Sequence, residues 1–182
     1  MHSRTSYVFA EKSYLSSSRR MVWLSLLLCL GIVIYVIEAV YLGAPPLPGA
    51  KLGLTNLVTL VILFYFGWKE SIANVLLRTL LGSLLTGTFM TPAFFFSLTG
   101  ALVSCAVMIF AFYTMYGKFS LVGVSLGGAT FHNFSQLTLA SLLVKQAAVF
   151  LQLPLLLLFA VLAGTFNGVV ANLVVARLPL SR

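Results

Sequence analysis

The sequence contains few charged residues and no aspartate. Only 8% of its 182 residues are charged while 60% are hydrophobic, whereas about 25% of the residues in a soluble domain are charged. The acidic residues are Glu11, Glu38 and Glu70, too few to gather several carboxylates around Mg²⁺. We therefore expect an integral membrane protein that has no cofactor and no nucleotide-binding domain outside the membrane.

Cysteine is scarce as well. Cys29 and Cys105 both lie in apolar runs and form no CxxC or zinc-binding pattern, so we interpret them as packing residues. The net charge of +8 would suit a nucleic acid partner. Basic residues in the short loops of a membrane protein explain it more simply, and we expect no nucleic acid partner.

The hydrophobic runs predict six transmembrane helices of roughly 20 residues each. The first run is too long for the hydrophobic part of a signal peptide and lacks a small-x-small cleavage site. The predicted helices cover residues 21–42, 53–68, 70–85, 92–116, 122–144 and 154–177. The fold class is thus all-α, with a polar tail at 1–20 and a six-helix membrane domain at 21–182.

The basic residues predict the orientation of these helices. With the N-terminus inside, the outer loops contain only Lys51 and Lys145, and Arg78 lies within a helix. The other eight of the eleven lysines and arginines then lie on the inner side: Arg4, Lys12, Arg19, Arg20, Lys69, Lys118, Arg177 and Arg182. Because basic residues favour the cytoplasmic side, we expect both termini there, in a multi-pass protein of the bacterial cytoplasmic membrane.

Two ionisable residues lie within the predicted helices. Such groups normally face a cavity or a partner inside a membrane. Glu38 either binds a solute or reaches water at the membrane surface, and Arg78 either contacts a solute or is a structural cation. One face of the third helix also has a stripe of small and polar residues, which indicates either an interior helix contact or a cavity lining: Ser71, Asn74, Arg78, Gly82 and Thr86.

The fifth and sixth helices add polar residues with helical spacing. Gly128, His132 and Gln136 are four residues apart and Asn133 is next to them. Their side chains offer donors and acceptors, which suits either a binding cavity or structural hydrogen bonds. In the sixth helix Asn167 lies within a repeat of small residues, Gly164 and Gly168, that permits close helix packing.

A proline-rich loop, GAPPLPGAK at 43–51, precedes the second helix. Prolines restrict its conformation, and Lys51 and Asn56 place polar groups at the predicted outer mouth. A lysine in a capping loop would attract an anionic solute. The same loop also suits a simple rigid turn.

The motifs PGAKLGLTN and HNFSQ, in this order, resemble the Gx transporter family. That family is also called heptaprenyl diphosphate synthase component I, and it is similar to the substrate-binding S components of energy-coupling factor (ECF) transporters. The resemblance covers about residues 21–178. It implies a six-helix S-component fold with a solute site in the outer half, capped by the loop between helices 1 and 2.

The family motifs assign five residues to that site: Lys51, Asn56, His132, Asn133 and Gln136. To these the polar positions add Glu38, Arg78 and Asn167. The resemblance also implies a protein that does not hydrolyse ATP and works with an ECF-type coupling subunit and two ATPases. S components commonly have an Ala-xxx-Ala contact on helix 1, whereas the nearest small pair here is Ser25 and Cys29.

Two functional hypotheses follow, and neither is an enzyme. In the first, the protein binds a small solute in the bilayer for uptake, such as a vitamin-like compound or an isoprenoid or quinone precursor. In the second, it is a non-catalytic membrane subunit that scaffolds an enzyme of isoprenoid or heptaprenyl diphosphate synthesis. Prenyl diphosphate synthases hold Mg²⁺ with paired Asp-rich motifs, so a chain without aspartate cannot be the catalytic subunit.

Overall fold

The computed structural model describes residues 16–41, 51–115 and 120–177. Every regular element within these ranges is helical. The α-helices are α1 (Ser17–Tyr41), α2 (Asn56–Tyr65), α3 (Trp68–Leu85), α4 (Pro92–Met115), α5 (Leu121–Val144) and α6 (Leu153–Arg177), and a 3-10 helix (Ala147–Gln152) precedes α6. The prolines at 45, 46 and 48 and most of the tail predicted at 1–20 lie outside the described residues.

The predicted helices agree closely with these bounds, except at α1 and α2. Helix α1 begins at Ser17 rather than Met21, because polar residues continue the helix beyond the apolar run that hydropathy detects. Helix α2 begins at Asn56 rather than Gly53 and ends at Tyr65 rather than Trp68. Its N-terminal end is shortened because Gly53 has a φ of 82°, which is outside the helical region.

The short helix α2 is the centre of the bundle. It packs against each of the other five α-helices, and seven of its ten residues are buried. A helix that is apolar on every side is typical of a protein interior. The remaining helices therefore surround α2, and the segment that leads into it is enclosed as well.

Helices α5 and α6 pack closely through glycines. A side chain at Gly164 would contact the backbone of Leu126, and one at Gly168 would contact the backbone of Val122. The prediction that this Gly-xxx-Gly pair permits close helix packing is confirmed. The polar face of α3 is also interior as far as Gly82, whereas Thr86 is partly exposed.

Within the described ranges, three helical stretches are long and apolar enough to cross a membrane: Ser17–Tyr41, Pro92–Thr114 and Ala147–Arg177. They identify a membrane protein. Helices α3 and α5 contain buried polar residues that lower their hydropathy, and α2 has only ten residues, or about 15 Å of helix. The crossing by six helices and the location of the termini stay predictions.

Candidate functional site

The segment Lys51–Thr55, which leads into α2, is irregular and largely enclosed by the bundle. Lys51 and Thr55 are 6% and 5% exposed, and Gly53 adopts a left-handed conformation with a φ of 82°. A β-carbon at Gly53 would also lie 2.9 Å from Nδ2 of Asn56. Backbone groups that are buried outside regular structure need partners, and here side chains of the surrounding helices provide them.

Helices α5 and α6 bind this segment through amide side chains. Gln136 makes two bonds to Lys51: its Oε1 accepts from the backbone N–H at 3.1 Å and its Nε2 donates to the carbonyl oxygen at 3.2 Å. Asn167 donates from Nδ2 to the carbonyl oxygen of Gly53 at 3.0 Å. These bonds fix both backbone polar groups of Lys51 and the backbone carbonyl group of Gly53.

Helices α1 and α3 bind the same segment through charged side chains. Oε1 of Glu38 accepts hydrogen bonds from the backbone N–H groups of Gly53 and Leu54. Nη1 of Arg78 donates to the carbonyl oxygen of Thr55 and, at 2.8 Å, to the hydroxyl of Thr59. Helices α1, α3, α5 and α6 therefore hold one short stretch of backbone.

The bonded residues lie at a similar depth in the bundle. Asn56 begins a ten-residue helix and is about 15 Å from the end of the bundle where α2 stops. Arg78 lies ten residues after the start of α3, so it is about 15 Å from the same end. The polar groups thus form a layer in the interior, and Lys51 and Asn56 are buried rather than placed at an open mouth as predicted.

A family model named heptaprenyl diphosphate synthase component I matches residues 27–174. The chain belongs to this family. The matched range contains the Lys51–Thr55 segment and every side chain that binds it. No curated protein and no solved structure matches the chain significantly.

In this family member, several polar atoms of the layer have no hydrogen-bond partner among the described residues. Nζ of Lys51 lies over the ring of Tyr35, 2.8 Å from its centroid, and forms no hydrogen bond. Both side-chain polar atoms of Asn56 and Oε2 of Glu38 also form no hydrogen bond with the described residues. His132 is 2% exposed and neither ring nitrogen has a well-formed hydrogen bond. The layer therefore contains hydrogen-bonding groups that the described part of the protein does not use.

The structure brings most of the predicted site residues together. Asn56 and His132 both lie beside Gly53, next to the bonds made by Glu38 and Gln136. Glu38 is completely buried, so it does not reach water at the membrane surface. It also forms no salt bridge with Lys51, since Arg20–Glu70 is the one ion pair within the described ranges.

Asn133 is the exception among the predicted residues. Its Nδ2 donates to the carbonyl oxygen of Leu156 at 2.7 Å, so it joins α5 to α6. The hydroxyl group of Ser135 donates to the backbone carbonyl oxygen of His132 at 2.8 Å and not to its ring. The described residues contain no group of His, Cys, Asp and Glu side chains that could bind a metal ion.

Three contributors to the layer were missed in the sequence. Tyr35 lies one helical turn before Glu38 and places its ring under Lys51. Gly100 packs against the ring of His132, and Thr59 accepts from Arg78. The spacing of Tyr35 and Glu38 indicated a shared face, but aromatic residues and single glycines are too common in membrane helices to mark a site.

Proposed function

We propose that this protein is an S-component-like membrane protein that binds a small polar solute in the layer around Lys51–Asn56 for uptake. The observation that supports this is the set of buried, unpartnered polar atoms on Lys51, Asn56, Glu38 and His132. A polar group buried without a hydrogen bond costs about 1–3 kcal/mol by protein mutational data. A bound solute would supply the partners.

The charges of the layer favour an anionic group on the solute. Lys51 and Arg78 contribute two cations and Glu38 one carboxylate, all of them buried. Oε1 of Glu38 is already bound to backbone and Nη1 of Arg78 to Thr55. Among the described residues, Nζ of Lys51 and Nε and Nη2 of Arg78 are the cationic donors that remain. The solute class is then a small anion with further donors or acceptors, such as a vitamin-like compound or an isoprenoid or quinone precursor.

The proposal includes six membrane crossings with both termini inside. Helix α2 is too short to cross alone, and the segment that precedes it completes the crossing because its backbone is satisfied within the protein. Irregular backbone at membrane depth is tolerated only where protein or a water-filled cavity encloses it. The four helices that bind Lys51–Thr55 meet this requirement.

The test is ligand binding by the purified full-length chain. A panel of small carboxylates, phosphates and prenyl-related anions should contain compounds that raise the melting temperature of the wild type. The Lys51→Ala variant should lose this rise and solute uptake in cells, whereas Lys145→Ala, whose lysine is exposed, should keep both. Equal responses of the two variants would refute the role of Lys51.

The family name supports a second candidate, a non-catalytic membrane subunit of a heptaprenyl diphosphate synthase system. Affinity purification from native membranes distinguishes the two. Co-purification of a soluble prenyl synthase supports the subunit, and co-purification of a coupling subunit with ATPases supports uptake. Helix α1 has an exposed face that suits either partner, on which Ser25 and Cys29 replace the Ala-xxx-Ala contact of S components.

A further inference from the structure

A groove between α1 and α3 lies apart from the polar layer, at the end of the bundle where both helices begin. Its volume is about 410 Å³, within the range of pockets that hold small molecules. Helix α1 contributes Ser17, Arg20, Met21, Leu24, Ser25 and Leu28, and α3 contributes Glu70, Ala73, Asn74 and Leu77. None of these residues belongs to the proposed solute site.

The lining of the groove changes from charged to apolar along its length. Arg20 and Glu70 lie at its mouth and form an ion pair. Leu28 and Leu77 lie farther along the two helices. Arg20 and Leu28 are eight residues apart, or about 12 Å along the helix, so the groove suits a molecule with a polar head and an apolar chain.

Asn74 provides an independent sign of a ligand. It is 5% exposed, it lines the groove, and its Oδ1 is buried without a hydrogen-bond partner. A buried carbonyl oxygen that has no partner among the described residues is costly. The amide group of Asn74 has one acceptor oxygen and two N–H donors. Rotation of this group can turn either the acceptor or the donors towards the head of a ligand.

The charge at the mouth favours an anionic head. Arg20 pairs with Glu70 at the mouth, and the basic residues Arg19 and Lys69 are their neighbours in the sequence. A guanidinium group has five N–H donors, and of these Arg20 uses Nη2 on Glu70. Its side chain is 43% exposed, so the remaining donors are accessible to a phosphate or carboxylate at the surface of the bundle.

We propose that this groove binds a single-chain anionic amphiphile, whose head contacts Arg20 and Asn74 and whose chain lies between Leu28 and Leu77. The ligand is either a single-chain anionic lipid, such as a fatty acid or a lysophospholipid, or a prenyl phosphate. Both sources share the chemistry of an anionic head on one apolar chain. The proposal is independent of the solute site, since no residue is shared between them.

Tryptophan emission is the readout for ligand binding. Trp23 and Trp68 lie on α1 and α3, the helices that form it. In a neutral detergent, titration of the full-length protein with dodecyl phosphate or farnesyl phosphate should change their emission with saturation. Dodecanol, farnesol and inorganic phosphate should bind at least tenfold more weakly, because each lacks the head or the chain.

Substitutions test the two head contacts. Asn74→Leu and Arg20→Gln should each weaken dodecyl phosphate binding by about tenfold, the scale of a hydrogen bond to a charged group. Asn172→Leu and Arg177→Gln, whose side chains are exposed on α6, should leave it unchanged. Equal affinities in the test and control variants would overturn the proposal.

A third variant, which obstructs the groove, tests the proposal even if the Asn74→Leu and Arg20→Gln proteins fold poorly. Ala73 lines the groove and is exposed, so Ala73→Phe should obstruct the chain and abolish the emission change, with an unchanged melting temperature. Full binding by that variant would also overturn the proposal. If farnesyl phosphate binds more strongly than dodecyl phosphate, the groove is assigned to prenyl phosphates. If dodecyl phosphate binds equally or more strongly, the groove is assigned to single-chain lipids.

Discussion

Gln136→Leu tests whether the Lys51–Thr55 segment depends on its side-chain partners. Leucine has a similar size, so the change removes two hydrogen bonds without a large cavity. It frees the N–H and the carbonyl group of Lys51, both bonded to Gln136 in the structure. A buried group without a partner costs about 1–3 kcal/mol, so we expect the free energy of unfolding to fall by about 2–6 kcal/mol.

The measurement is reversible unfolding in mixed micelles with increasing dodecyl sulfate, followed by circular dichroism. Gln146→Leu is the matched control, because Gln146 is exposed just after α5 and accepts from Ser141 through its backbone carbonyl oxygen, which the substitution retains. Amide hydrogen exchange at Lys51 should accelerate in Gln136→Leu alone. A stability within about 0.5 kcal/mol of the control, the usual scatter of surface changes, would refute the structural role of Gln136.

Three further substitutions test the packing around the segment. Gly53→Ala should lower stability by at least 1–2 kcal/mol, the cost of a left-handed conformation, whereas Gly127→Ala, whose nearest neighbour is 3.7 Å away, should have little effect in the same unfolding assay. Gly168→Ala should separate α5 from α6, since its β-carbon would meet the backbone of Val122; a crosslinking yield between the two helices equal to that of the wild type would contradict this. Asn167→Leu should accelerate hydrogen exchange at the amides near Gly53 by freeing its carbonyl group, and unchanged exchange would show that the bond is dispensable.

The helices were predictable because membrane segments end at recognisable residues. Pro92 begins α4 as predicted, whereas the turn into α3 lies between Tyr65 and Trp68 rather than after Trp68. The central location of α2 was not predictable, since an apolar sequence is equally suited to lipid and to a protein core. Only contacts with the other five helices distinguish the two environments.

Part of the membership of the polar layer was predictable, but its bonding was not. Helical spacing indicated that His132 and Gln136 share a face, and both are buried near the segment. It gave no sign that Gln136 binds backbone while Asn133, three residues earlier, binds Leu156 on α6. Hydrogen bonds between distant segments depend on the three-dimensional arrangement, and residue spacing within one helix carries no information about it.

A substitution at Lys51 tests whether its buried charge contributes to ligand binding or to stability. Its ammonium group is buried over Tyr35 and has no hydrogen-bond partner, and burial of an unpaired charge is unfavourable. Lys51→Met keeps the length of the side chain and removes the charge. We therefore expect this variant to be at least as stable as the wild type without ligand, because the cost of burying the ammonium group is removed and Arg78 remains as a cation for Glu38.

The same variant should lose the stabilisation that an anionic solute gives the wild type. Melting temperatures of both proteins, measured with and without the strongest binder of the anion panel, check the two effects together. Lys145→Met is the control, because Lys145 is exposed and should change neither quantity. A less stable Lys51→Met protein that still responds to the anion would show that the contact with Tyr35 is structural, and Lys51 would then have no place in a binding site.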